Sequence, residues 1–139
     1  RSHLAVLIDQ LRQGSMVRVR DLQNANSSVD HTVRQLEQLF LAKCQVNLYL
    51  APVGGAGFPA HFDITDGFIV QCGGAKDWTI HEDYIDQTSL PTADTPWEPE
   101  RYKPLGSGKS MVLQLGDVLY LPRGVMHAAR CVDEYSLHL

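Results

Sequence analysis

From Cys44 onward the apolar residues arrive only in short runs, each bounded by glycine or proline: CQVNLYLAP, HFDITDGFIVQCGG, AKDWTIH, KSMVLQLGDVLYLP and CVDEYSLHL. Runs of four to eight residues, rich in β-branched and aromatic side chains and punctuated in this way, are strands. At least five of them in succession, with no helical period between, require a closed or two-layered β structure in which each strand buries one face. The part before Lys43 has a different period. Leu4, Leu7, Ile8 and Leu11 fall at helical spacing, with Gly14 placed to stop the helix. MVRVRDL alternates like a half-buried strand, and Ser27, Ser28 and Asp30 offer N-caps for a second helix. Val33, Leu36, Leu39 and Phe40 would form the buried stripe of that helix. The expectation is a mainly β domain over residues 1–139, with a helical part (1–42) followed by a barrel core (43–139).

Composition narrows the function. The 139 residues are 44% apolar and 20% charged, as expected of a globular domain. Asp and Glu outnumber Lys and Arg by 16 to 12, and no basic run occurs, which disfavours direct nucleic-acid binding by this segment. No apolar stretch reaches the roughly 18 residues of a membrane span. Cys44, Cys72 and Cys131 form no C-x-x-C pair and leave one thiol over, so a reduced, intracellular chain is expected. The sequence opens without a signal peptide and stops at YSLHL in mid-pattern, which suggests a piece of a longer protein.

His61 and Asp63 stand two apart in HFD, so on a strand they share a face, with Phe62 and Ile64 packing on the other. Alone, such a pair is more often two exposed polar side chains. A second histidine, His127, follows two turns in GDVLYLPRGVMH. Two imidazoles and one carboxylate make a facial triad that leaves positions open, the arrangement suited to non-haem Fe(II). A closed structural zinc site would leave none. Alternation also places Lys76, Trp78 and Ile80 on one face and Asn47 with Tyr49 on one face. An inward lysine demands an anion. Lys76 with a nearby tyrosine hydroxyl would suit the far carboxylate of a small dicarboxylic acid.

VNLYLAP, GFPAHFDITDGFIVQCGGAKDW and LQLGDVLYLPRGVMHA resemble the successive signature segments of JmjC-type 2-oxoglutarate oxygenases, most closely the ribosomal oxygenase group. The likeness runs from about Met16 to Leu139. It rests on an H-x-D with a lysine fifteen residues on, an N-x-Y fourteen before, and a GD-x-LY-x-PRG-x-x-H block. The resemblance implies a double-stranded β-helix (a cupin or jelly-roll barrel) behind N-terminal helices. It implies an Fe(II)-dependent dioxygenase that uses 2-oxoglutarate as cosubstrate and molecular oxygen to hydroxylate a protein side chain, a ribosomal protein being favoured. The metal ligands of that family would fall on His61, Asp63 and His127. Its cosubstrate-binding residues would fall on Lys76, Asn47 and Tyr49. Homodimerisation would use regions outside this sequence, and the setting would be cytoplasmic in a bacterium or nuclear, including nucleolar, in a eukaryote. Ile64 stands where another acid is frequent in that family, and Gly73-Gly74-Ala75 replaces a more charged turn.

Two other readings share the triad: the same chemistry on a peptide or small natural product, and a metal-binding cupin scaffold without activity. A scaffold would have no need of Lys76, Asn47 and Tyr49. His138 is expected to line the pocket or support the ligands, not to bind metal. Trp97, on the long loop from Gln87 to Gly108, is placed to touch substrate, and Trp78 to pack in the barrel. His3, His31 and His81 are expected to be solvated, and Cys72 and Cys131 to be small apolar packers.

Overall fold

The computed structural model describes residues 3–55, 57–81, 90–96, 98, 103–104, 106–131 and 133–139. Trp97, parts of the Gln87–Gly108 loop and the side chain of His3 lie outside the described set. Helix α1 (His3–Arg12) leads to strand β1 (Val17–Val19), a single 3-10 turn (Leu22–Asn24) and helix α2 (Ser27–Phe40). Seven strands follow: β2 (Leu48–Ala51), β3 (Gly67–Gly74), β4 (Lys76–His81), β5 (Lys109–Leu113), β6 (Val118–Leu121), β7 (Met126–Arg130) and β8 (Ser136–His138).

The strands form two antiparallel sheets, one ordered β1-β2-β8-β3-β6 and the other β5-β4-β7. From β3 onward the chain winds back and forth between them, the path of a jelly-roll barrel of the cupin kind. The crossing from β3 to β4 turns at Gly74, whose φ of 59° favours glycine and whose Cβ, if present, would collide with the Tyr135 carbonyl. Between the sheets, Trp78, Leu113 and Leu121 form the main core with Ile69, Ile80, Leu119, Val125 and Ala129 packed against them. Phe62 and the fully buried Met126 make a second cluster with Ala60.

Several local expectations change. The cap of α2 is Asn26, not a serine or Asp30: its side chain accepts from the amides of Ser28 (3.0 Å) and Val29 (3.1 Å). An asparagine one residue earlier reaches both amides, which leaves Ser27 and Ser28 inside the first turn. Of the α2 stripe only Val33 is buried, whereas Leu39 and Phe40 are exposed. Leu4, Leu7 and Ile8 of α1 are likewise exposed. Helical period identifies an apolar face without supplying the surface that covers it. Residues 61–66 are not strand: His61 makes one isolated bridge and β3 starts only at Gly67. Phe62 packs as expected but Ile64 is exposed, because the segment has left the ladder that would enforce alternation. Cys72, the extra residue at a register shift between Gln71 and Gly73, is exposed, while Cys131 is buried. His81 is not solvated at its ring: its Nδ1 is buried and has no partner among the described residues.

Candidate metal centre

His61 and His127 are 66 positions apart and meet as backbone partners. The His61 amide donates to the His127 carbonyl at 2.9 Å, and the His127 amide donates to the His61 carbonyl at 2.7 Å. Gly57 seats the approach to His61 against β7, since a Cβ there would strike the Ala129 carbonyl. The paired imidazoles lie with ring centroids 4.5 Å apart.

Each ring is fixed by the same device. His61 Nδ1 is 2.8 Å from the Pro59 carbonyl oxygen, and His127 Nδ1 is 2.9 Å from that of Val125. A carbonyl can only accept, so both Nδ1 atoms carry the proton and a neutral ring presents its Nε2 lone pair. That is the tautomer a metal requires, held by the kind of backbone contact that orients metal-binding histidines. Burial lowers the pKa of His127, opposing protonation at the only free nitrogen.

Asp63 completes the set. Its side chain is 61% exposed and its Oδ2 lies 3.8 Å from His127 Nε2, too long for a hydrogen bond. One donor atom from each of His61, Asp63 and His127 falls within 4.8 Å of the others. Two imidazole nitrogens and a carboxylate oxygen fit a divalent first-row transition metal, and three protein donors do not close its coordination.

Behind the triad lies a buried polar group. Lys76 is 4% exposed, and its Nζ sits 5.7 Å from the centroid of Trp78. Burial lowers the pKa of Lys76, and no hydrogen bond or ion pair ties it among the described residues. Trp78 faces both His127 (5.8 Å between centroids) and His138 (5.9 Å). Its indole N–H is buried without a partner among the described residues. His138 is buried and stacks on Tyr49, its cross-strand partner. Burial, with Lys76 adding a smaller push, lowers the pKa of His138 to about 3.

Of the residues singled out in the sequence, His61, Asp63 and His127 therefore converge, Lys76 and His138 flank Trp78, and Tyr49 stacks on the His138 ring. Asn47 is occupied elsewhere. Its Oδ1 accepts from the Asp21 amide and from Gln45 Nε2, both at 3.1 Å, pinning the start of β2 to the chain before α2. Sequence reasoning missed Gln71 and Ser136, which are buried beneath His138. Gln71 Nε2 donates to Ser136 Oγ (3.0 Å), which lies 3.4 Å from His138 Nδ1. Alternation places Ser136 on the face of His138 in β8 and Gln71 on the face of the core-packed Ile69 in β3, but their meeting depends on strand pairing that no residue pattern announces.

The JmjC domain family model matches residues 20–139. This chain belongs to that family. The JmjC domain is 33% identical over 138 residues to ribosomal oxygenase 1 of Gallus gallus, a match covering 97% of this chain and 22% of that protein. It is 32% identical over 141 residues to the bifunctional lysine-specific demethylase and histidyl-hydroxylase NO66 of Dictyostelium discoideum, covering all of this chain and 27% of that protein. The chain thus spans about a quarter of the length of these curated relatives. Among solved structures, Escherichia coli YcfD superposes with a TM-score of 0.65 at 20% identity, over 88% of this chain and 32% of that one. The ribosomal oxygenase YcfD in complex with cobalt and 2-oxoglutarate gives a TM-score of 0.57 at 20% identity, over 88% and 30% of the two chains. At that identity the likeness establishes a shared fold. No helix among the described residues is long and apolar enough to cross a membrane.

Proposed function

We propose that this chain is the oxygenase domain of an Fe(II)- and 2-oxoglutarate-dependent dioxygenase that hydroxylates a protein side chain, with a ribosomal protein as the favoured substrate. The observation that carries the reading is the donor set itself: two histidines locked as Nε2 donors beside one carboxylate, next to a buried lysine with no anion partner among the described residues. Names of the relatives agree with it, since they include ribosomal oxygenases and a histidyl-hydroxylase. On this reading residues 1–139 form one domain, and the protein works inside the cell.

His61, Asp63 and His127 would hold the metal, which when bound supplies activation of molecular oxygen and attack on a C–H bond. The chain's own part is to bind and orient. Lys76 would take the distal carboxylate of 2-oxoglutarate by a charge-assisted hydrogen bond, restoring the partner that a buried cation needs. Tyr49 would add a hydroxyl at the same end, and Trp78 an indole N–H that has no partner among the described residues. The neutral His138 would fill the wall without a charge that competes with Lys76 for the acid. Asn47 would act from a distance, by fixing the start of β2 and hence Tyr49.

The test is calorimetric titration of 2-oxoglutarate into the full-length protein with Fe(II) under anaerobic conditions, beside Lys76→Ala. The expected result is binding that requires metal and weakens on substitution by about 1.5–3 kcal/mol, roughly tenfold to over a hundredfold. Absence of binding by the metal-loaded protein would sink the oxygenase reading. Screening ribosomal proteins for a mass gain of one oxygen would then test the substrate.

A further inference from the structure

The two segments that bring the ligands together are pinned at both ends in one register. Gly67 pairs with Leu121 in the β3–β6 ladder, and His61 pairs with His127 in the isolated bridge. Five residues (62–66) separate these pairings on one segment and five (122–126) on the other, so no residue is gained or lost between them. Ladder hydrogen bonding nevertheless lapses there: residues 62–66 are irregular and 122–125 form a turn. Asp63 sits inside the gap. Its exposed carboxylate receives no hydrogen bond among the described residues, so its position is inherited from the backbone that carries it.

Hydrogen bonds to two residues of this segment, Asp63 and Asp66, bridge the gap. The Gly124 amide donates to the Asp63 carbonyl at 3.0 Å. Asp66 Oδ1 accepts from both the Tyr120 hydroxyl (2.9 Å) and the Arg123 amide (3.2 Å). One carboxylate three residues after Asp63 thereby grips the end of β6 and the turn leading to His127. The same two donors hold the Asp66 carboxyl below the usual carboxylate range, and Asp66 pushes the Tyr120 hydroxyl up. This gives a physical reason for the Tyr120 hydroxyl in the LYLPRG block, while Arg123 and Gly124 contribute through their backbone amides.

We propose that Asp66 is a positioning residue for the metal centre: by holding the Tyr120 hydroxyl and the Arg123 amide, it fixes the turn before His127 against the segment that bears Asp63. The inference rests on the metal reading above. Asp66 is exposed, so its hydrogen bonds contribute little to global stability, while an unpinned Asp63 would be felt directly as metal affinity.

Co(II) titration of the full-length protein, followed by calorimetry and by the visible absorption of the bound ion, tests this without reference to turnover. Wild type is expected to bind one Co(II), and His127→Ala to bind none. Asp66→Ala is expected to bind about ten- to a hundredfold more weakly, the range seen when a residue supporting a metal ligand is lost, with an altered absorption band. Asp66→Asn should stay within about threefold of wild type, because the amide oxygen still accepts both bonds. Tyr120→Phe, which removes one of them, should fall between. Affinity and band unchanged in Asp66→Ala would overturn the proposal while leaving the metal reading intact, as would Asp66→Asn binding as weakly as Asp66→Ala. Failure of wild type to bind Co(II) would overturn both. Should Asp66→Ala not fold, Tyr120→Phe decides: wild-type affinity and band in that variant overturn the proposal.

Discussion

Tyr49 and His138 lie face to face, their ring centroids 4.9 Å apart and their planes within 4° of parallel, as direct cross-strand partners in β2 and β8. The stack joins two short strands of the larger sheet. It also keeps an ionisable ring out of water beside a lysine, which is why His138 has a pKa of about 3.

That placement predicts an acid-side signature. The ordinary histidine pKa is about 6.5, so between roughly 6.5 and 3 the unfolded chain binds a proton at His138 that the folded chain refuses. The unfolded state then holds more protons, and stability falls as pH drops through that window. Replacing His138 by Asn should flatten the slope of unfolding free energy against pH by up to one proton in this range. Urea unfolding at a series of pH values from 4 to 7 measures it, and an unchanged slope would mean that His138 is solvated.

Lys76 should trade stability for binding. A buried cation with no anion costs desolvation free energy that a methionine of similar length would not. Lys76→Met is therefore expected to leave the ligand-free protein as stable as wild type or stabilise it, by about 2–4 °C in melting temperature for each kcal/mol gained. The same variant should lose the thermal shift that 2-oxoglutarate produces in the metal-loaded wild type. Differential scanning calorimetry with and without the acid separates the two effects. A marked drop in the ligand-free melting temperature would show that Lys76 has a structural partner.

What could be read in the sequence was what local pattern encodes. Glycine and proline punctuation marked most of the strands, and the period of two put Lys76 and Trp78 on one buried face. His61, Asp63 and His127 were legible because two of the three blocks that resemble a family carry them. Strand β7 was not read as a strand, because MHAAR has neither alternation nor β-branched residues and owes its conformation to pairing with β4. The irregularity of residues 61–66, the exposure of Ile64 and the bulge at Cys72 likewise depend on partners distant in sequence. So does Asp66, whose hydrogen-bonding partners begin 54 residues later.

The helical part offers a purely local prediction. Asn26 satisfies two amides at the start of α2. Asn26→Ala should cost about 1 kcal/mol of stability, while Asn26→Asp should retain it and Asn26→Ser nearly so. Chemical denaturation of the three variants checks this. The cap sits at the first turn of α2 and its hydrogen bonds go to Ser28 and Val29, so Co(II) affinity should stay unchanged in all of them.

Gly57 should behave in the opposite way. The backbone at this position passes so close to β7 that a Cβ would collide with the carbonyl of Ala129, a backbone atom with no rotamer to yield. Gly57 is also only four residues before His61, in the segment whose Pro59 carbonyl orients the His61 ring. Relief of the clash must move that segment, the edge strand β7 or both, and either shift disturbs the bridge between His61 and His127. Gly57→Ala is thus expected to weaken Co(II) binding by at least about tenfold, a loss on the scale of removing a ligand's support. Gly54→Ala, at a positive φ of 66° but with open space around its Cβ, should cost about 1 kcal/mol of stability and leave the metal site alone. Measuring Co(II) affinity and melting temperature for the pair separates backbone approach at the site from ordinary turn strain. Equal Co(II) affinities in the two variants would show that the Gly57 segment does not hold His61 in place.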